Sequence, residues 1–296
     1  MKPLIDADVL RYEIGFSGER LDPDTGEKLI EDFSKVAERF DEKIKEICAE
    51  CWANEEPILF LTYDRRMWKK QCKQLKKEGK DAILYVCNFR DEVATKKVYK
   101  GTRKQEKPFH YDNLTAYILA NYDTQVAVGM EADDLMSIYQ YARYKEGQLD
   151  TIICSRDKDL RITPGMHYGW ACGKQEAFGP ARVDPLGELI LSPSGKLRGT
   201  GLMFFYSQLI TGDTVDNIPG LPRGGPALAF KSLAHLTSEE ELHNAVAKLY
   251  EIKFGDDWRS EMEEQAKLLW MVRELDENNQ PVMFIMYDER EEALVG

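Results

Sequence analysis

No stretch of this chain approaches eighteen consecutive apolar residues, so a membrane-spanning helix is not expected. The opening Met-Lys-Pro-Leu-Ile-Asp lacks the apolar segment of a secretory signal. Cysteines are few, six in 296 residues, and show no framework spacing. Reduced thiols and a cytoplasmic location are therefore expected. Cys48 and Cys51 form a C-x-x-C, but no second pair follows to complete a zinc site, and they read as packing residues of a helix. The four histidines, His110, His167, His235 and His243, have no Ser or Cys elbow nearby, which disfavours a nucleophilic triad. No Gly-x-x-x-x-Gly-Lys-Ser/Thr loop occurs, so a P-loop NTPase is excluded. Internal repeats and low-complexity segments are also lacking.

Positive charge is scarce overall, with a formal net charge of -12. Taken alone, that argues against a nucleic-acid partner. Its distribution reverses the argument. Between Arg65 and Lys107 there are fifteen basic and five acidic residues, a local excess of ten that leaves -22 for the remainder. Trp68, Tyr85, Phe89 and Tyr99 are interleaved, and Phe109 and Tyr111 lie just beyond. Such a segment suits a phosphate backbone and exposed bases, although Arg65–Lys80 alone also reads as a solvated helix face.

The acidic residues fall into four short clusters: Asp6-Ala7-Asp8, Glu131-Ala132-Asp133-Asp134, Asp157-Lys158-Asp159 and Asp213-Thr214-Val215-Asp216. The first three adjoin apolar runs. Carboxylates placed there repel one another and are costly to desolvate, so a cation is expected to offset them. Hard divalent ions with oxygen ligands are the obvious choice.

The apolar pattern predicts buried strands at Pro3–Ala7, Pro57–Tyr63 and Thr151–Ser155, with Asp6, Asp64, Asp157 and Asp159 at or just past their ends. A short strand is expected at Ala82–Val86, a loop or hairpin at Gly15–Gly26, a hairpin at Ala181–Leu197 and a late strand at Pro281–Tyr287. Helices are expected at Phe33–Trp52, Tyr111–Asn121, Glu131–Tyr144, Met203–Gly212, Pro226–Leu233, Ser238–Phe254 and Asp257–Leu275. Strands alternating with helices imply an α/β fold with a mainly parallel central sheet flanked by helices, and a helical second half. Ligands of such sheets bind beyond the carboxyl ends of the strands, where these aspartates converge. Glu131 and Asp134 are three apart on a helix and share a face, as do Asp213 and Asp216 at a helix end. Asp157 and Asp159, two apart, point the same way in extended chain. Two metals about 4 Å apart would stabilise both the attacking and the leaving oxygens of an in-line phosphoryl displacement.

The motifs resemble those of the structure-specific 5′-nuclease family, which includes flap endonucleases, bacteriophage 5′–3′ exonucleases and the 5′-nuclease domain of bacterial DNA polymerase I. Gly129-Met-Glu-Ala-Asp-Asp134 resembles its Gly-x-Glu-Ala-Asp-Asp, Tyr99-Lys-Gly-Thr-Arg103 its Tyr-Lys-x-x-Arg, and Gly212-Asp-Thr-Val-Asp-Asn-Ile-Pro-Gly220 its Gly-Asp-x-x-Asp-Asn-x-x-Gly. Leu4-Ile-Asp-Ala and Ser155-Arg-Asp-Lys-Asp159 match its opening aspartate and its Asp-x-Asp. The order agrees over residues 3 to 230. The short basic segment before Gly129 is most like the bacteriophage enzymes.

The resemblance implies a PIN-like catalytic α/β domain over 1–180, with a basic arch region near 89–125. A mostly helical DNA-binding subdomain over 181–296 would complete the active site and contain a helix–hairpin–helix-type element. It implies two Mg2+ ions, with Mn2+ able to substitute, held by Asp6, Asp64, Glu131, Asp133, Asp134, Asp157, Asp159, Asp213 and Asp216. Lys100 and Arg103 would contact the scissile phosphate, with Asp134 also catalytic. Tyr99 would stack on a terminal base, and Lys96, Lys97 and Lys104 would bind DNA. The loop Gly220-Leu-Pro-Arg-Gly-Gly225 departs from the family's Gly-x-x-Gly-apolar-Gly; Gly220, Arg223, Gly225 and Lys231 are the expected duplex contacts there, with a K+ site in question. The implied activity is a metal-dependent 5′–3′ exonuclease or flap endonuclease of DNA replication and repair, in a bacterial cell or phage-infected host. The implied partner is DNA with 5′ ends or flaps, RNA–DNA hybrid being a further candidate, and a monomer is expected. Two other readings stand beside it: a PIN-like ribonuclease, and a non-catalytic DNA-end binding module.

Overall fold

The computed structural model describes residues 1–103 and 106–290. The chain opens with strand β1 (Lys2–Asp6) and turns at once into helix α1 (Ala7–Ser17). Asp6 ends the strand and caps the helix, its carboxylate accepting from the Val9 amide at 3.0 Å. The Leu10 and Ile14 spacing carries that helix, which is not among those expected above. A small hairpin, β2 (Glu19–Leu21) with β3 (Lys28–Ile30), stands in the expected Gly-rich loop. Helix α2 (Phe33–Glu50) follows, capped by Asp32. Strand β4 (Ile58–Thr62) leads through its cap Asp64 into α3 (Arg65–Lys77).

Helix α3 buries none of its thirteen residues. The next segment, expected to be a strand at Ala82–Val86, is irregular and carries exposed Leu84. Its backbone joins no ladder among the described residues, and the Ile83 carbonyl accepts from Trp68 Nε1 at 2.8 Å instead. Then come α4 (Phe89–Val93), α5 (Tyr111–Asn121), β5 (Thr124–Ala127), α6 (Ala132–Lys145) and β6 (Thr151–Cys154). Strands β7 (Gly165–Gly169) and β8 (Phe178–Val183) extend the sheet, and β9 (Glu188–Leu191) with β10 (Leu197–Thr200) form a separate hairpin around the predicted Pro-Ser-Gly turn. Helices α7 (Gly201–Thr211), α8 (Pro226–Leu233), α9 (Glu239–Phe254) and α10 (Trp258–Leu269) complete the described elements. The last helix therefore stops at Leu269 rather than at the expected Leu275. The predicted strand at Pro281–Tyr287 is instead an irregular strap with Phe284 and Met286 buried, which starts at a bridge between Leu275 and Pro281 and enters a helical turn at Tyr287. No helix among the described residues is long and apolar enough to cross a membrane.

The six-stranded sheet has the order β5-β4-β1-β6-β7-β8, parallel except for β8. Its central strands are buried on both faces, and alternation divides the core in two. Ile5, Leu59, Leu61 and Ile152 face α1, α2 and α5; Cys51 joins them, with Cys48 packed alongside. Leu4, Phe60 and Ile153 face the other way, onto Met136 of α6 and a layer built from α7 to α10. The helical second half thus shares one continuous core with the sheet, with Phe205, Leu209 and Met262 in the same cluster.

Candidate active site

The parallel strands β1, β4, β5 and β6 present their carboxyl ends to one side, and the acidic clusters follow those ends. Asp6 is 1% exposed; Ser155 donates to its Oδ2 at 2.6 Å. Burial, then the Asp8 and Asp157 charges, push its carboxyl up to about 7. Asp133, in the first turn of α6, is held well above the usual carboxylate range by burial and by Asp6, Asp157 and Glu131. Asp159 is pushed up to about 7 by burial and by Asp157, against the pull of Lys158. Asp6, Asp133, Asp157, Asp159 and Glu131 therefore form one interacting group.

Two lysines neutralise part of this charge. Lys100 Nζ donates to Glu131 Oε1. Burial works to raise Glu131, but Lys100 and Arg90 outweigh it and hold its carboxyl low. Lys158 Nζ lies between Asp159 Oδ1 at 2.8 Å and Asp213 Oδ2 at 2.9 Å. Gln208 of α7 also donates to Asp159 Oδ1, at 2.6 Å. Asp213 accepts from the amides of Val215 and Asp216 in its own turn. Asp216 accepts from Arg103 Nη2 at 2.5 Å and from Tyr99 Oη at 3.0 Å, and Tyr99 Oη also reaches Glu131 at 3.2 Å. Lys100 sits at φ +53, a left-handed conformation unusual for a side-chain-bearing residue. Its amide bonds to Asp216 O at 3.0 Å, which anchors the turn against the last acidic cluster.

Three of the expected site residues are engaged by other partners. Asp134 is fully buried and spent: Arg90 binds it in bidentate fashion at 2.5 and 2.8 Å, and the amides of Val272 and Glu131 each donate to it at 3.1 Å. It is half of a structural ion pair, with both carboxylate oxygens occupied by protein donors. Tyr99 is 8% exposed in the main core, so its ring offers no face to a base. Gly220 is no phosphate donor, because its amide bonds to Gln265 Oε1 at 2.7 Å. A Cβ there would collide with the Gly212 backbone nitrogen, so glycine is required by close backbone approach.

The other predicted residues are distributed as follows. Asp64 stands apart from the coupled group, its carboxylate taken by Lys107 at 2.6 Å, Tyr111 at 3.2 Å and the amides of Arg66 and Met67. Burial opposes these partners, which nonetheless hold it below its ordinary value. Lys96 pairs with Glu261 at 2.7 Å, which ties the segment to α10. Lys97, Arg223 and Lys231 are exposed, and Gly225 caps α8. Lys104 lies outside the described residues. Sequence reasoning missed Arg90, Lys158, Ser155 and Gln208 as supports of the site. Only Lys158 carried a signal, as a cation between two aspartates.

Hard oxygen donors crowded beside one another fit a divalent cation better than any softer metal. As the side chains stand, no three His, Cys, Asp or Glu groups among the described residues converge closely enough to grip an ion. Lys100 and Lys158 compensate the charge instead, and an ion would have to draw the carboxylates inward from them.

Comparison with known proteins agrees with the motifs in part. No family model matches the chain. It is 30% identical over 128 residues to DNA polymerase I of Rhizobium leguminosarum, covering 42% of this chain and 11% of that one. It is 28% identical over 193 residues to DNA polymerase I of Bacillus subtilis (strain 168), covering 61% and 20%. The matched part spans a fifth or less of those relatives. Among solved structures, T5 D15 protein co-crystallized with metal ions is 13% identical, with a TM-score of 0.47 over 90% of this chain and 89% of that one. T5 D15 flap endonuclease in a pseudo-enzyme–product complex with DNA and metal ions gives 12% and 0.48 over 90% and 98%. The catalytic core of Rad2 in complex with DNA substrate gives 14% and 0.45 over 98% and 85%. Likeness at that level speaks to neither residue roles nor substrate. The sequence matches to DNA polymerase I agree with the resemblance that the ordered motifs bear to the structure-specific 5′-nuclease family.

Proposed function

We propose that the chain is a divalent-metal-dependent 5′ nuclease that hydrolyses DNA phosphodiester bonds at 5′ ends or flaps. The observation that carries this reading is the cluster of Asp6, Asp133 and Asp157 at the carboxyl ends of the sheet, with Lys100 poised on Glu131 at its rim. Asp6, Glu131, Asp133, Asp157, Asp159 and Asp213 are the residues that would hold two magnesium ions. Bound there, such ions supply hydroxide at neutral pH and offset charge on the attacking and leaving oxygens.

The chain's own residues have separable tasks. Lys100, beside Glu131, would hold a non-bridging oxygen of the scissile phosphate and stabilise its developing charge. Arg103, 44% exposed at its side chain, would move from Asp216 to the same phosphate in bidentate fashion. Tyr99 keeps Glu131 and Asp216 in place through its hydroxyl. Helix α3 and exposed Lys97 would track the phosphate backbone. Residues 1–180 form the catalytic part in this reading, and the α7–α8 turn with Arg223 and Lys231 grips duplex DNA.

The test uses blunt duplex, 5′-flap and single-stranded DNA labelled separately at each end, with a matching RNA, in magnesium or chelator. Magnesium-dependent loss of the 5′ label from duplex or flap is the expected result. Cleavage of RNA alone, or binding without turnover, would refute it.

A further inference from the structure

A cleft of about 970 Å³ is lined by Asp157, Asp159, Asp213 and Asp216 and also by the β9–β10 hairpin and the segment before β8. Beyond these aspartates it carries two further acids, Glu176 and Glu188, and an excess of basic residues. Arg161 lies in the short turn 159–162, which packs against β10. Its guanidinium stacks on Phe178 at 3.9 Å from the ring centroid. Asp157 and Asp159 act on it only through their charge, and no described residue bonds or ion-pairs with it, although it is half-buried. Arg198 of β10 lines the same cleft and acts on Arg161 as a like charge. Arg198 itself pairs only with Glu176, at 3.5 Å, and both of those side chains are more than half exposed. Such a pair contributes little. Lys174 and Lys196 line the same cleft with exposed ammonium groups.

Two arginines lining one cleft, one of them half-buried against an aromatic ring and bonded to no acid, are stabilised by an anion that joins them. We propose that Arg161 and Arg198, assisted by Lys174 and Lys196, form a phosphate-binding subsite for the substrate strand on one side of the scissile bond. The proposal rests on the nuclease reading above. Arg161 is only two residues from Asp159, so a phosphate held there is continuous with the acidic group. The hairpin would then set which end of the strand enters the cleft.

The experiment is fluorescence anisotropy of labelled 5′-flap DNA in EDTA, where nothing is cut, across a salt series. Arg161→Ala and Arg198→Ala should each weaken binding about tenfold. Each should also lower the slope of log affinity against log salt by about 0.7 to 0.9. Arg198→Ala, at the exposed position of β10, preserves the test if Arg161→Ala disturbs folding. Equal losses on 5′-phosphorylated and 5′-hydroxyl strands assign an internal phosphodiester; loss confined to the phosphorylated strand assigns a terminal phosphate. Unchanged affinity and slope in both variants, in a wild-type protein that binds and cuts DNA, would overturn the subsite alone. A wild type that neither binds nor cuts would overturn both readings.

Discussion

Asp134→Asn separates a structural acid from a metal ligand. Asp134 accepts from two guanidinium nitrogens of Arg90 and from two backbone amides, and Arg90 also donates to Leu268 O at 3.0 Å and Trp270 O at 2.6 Å. The network ties α4, α6 and the chain after α10 together, with both charged side chains wholly buried. Asparagine keeps the shape but removes the charge and turns an NH2 group toward a guanidinium N–H. Leaving one buried charge uncompensated costs about 3–5 kcal/mol. For a chain of this size that lowers the melting midpoint by about 10 °C. Urea denaturation followed by circular dichroism measures it. Replacing both partners, with Arg90→Met and Asp134→Leu, should recover only part of the loss, because no charge is then stranded but four backbone groups lose their partners. Asp157→Asn should show the opposite profile, abolishing magnesium-dependent cleavage with little change in the urea midpoint. An Asp134→Asn protein of unchanged stability that has lost all cleavage would refute the structural assignment.

Lys100→Ala should slow single-turnover cleavage by at least about a hundredfold, as loss of one positioned charge-stabilising donor does; an unchanged rate removes its catalytic role. Exchanging Lys69, Lys73, Lys76 and Lys77 for Gln should lower the salt slope of DNA binding by about 0.7 to 0.9 for each phosphate no longer neutralised, and an unchanged slope makes α3 a solvated face. His167 is 2% exposed, and burial pulls its imidazole down to about 4. Below an unfolded value of about 6.5 the unfolded chain takes up the proton first, so its contribution is complete above that pH and is lost as pH falls toward 4. His167→Gln should flatten the pH dependence of stability in that window by about 3 kcal/mol relative to wild type; parallel wild-type and variant curves would contradict it.

The central strands were legible because Leu4-Ile5, Ile58 to Leu61 and Ile152-Ile153 are runs buried on both faces, and the aspartates that end them needed no further information. Strands β5 and β7 were not legible: Thr124–Ala127 has no apolar run, and Gly165–Gly169 begins and ends in glycine. Both become strands only because a sheet edge is there to pair with. Helix α1 carried a signal, the Asp6 cap and the Leu10–Ile14 spacing, that the following glycines obscured.

By itself, the sequence determined the alternation of strands and helices, the position of Asp6, Asp157 and Asp159 at strand ends, and the ordered motifs, all of which depend on neighbours a few residues apart. Tertiary structure alone decided which acids stay available. Asp133 and Asp134 are adjacent on α6, yet one faces Asp6 and Asp157 while the other meets Arg90, 44 residues away. Likewise Tyr99 became a buried strut because Glu131 and Asp216 arrive from 32 and 117 residues away. Local pattern places a charge on an element, but the partner that neutralises it comes from elsewhere in the chain, and burial makes that partner decisive.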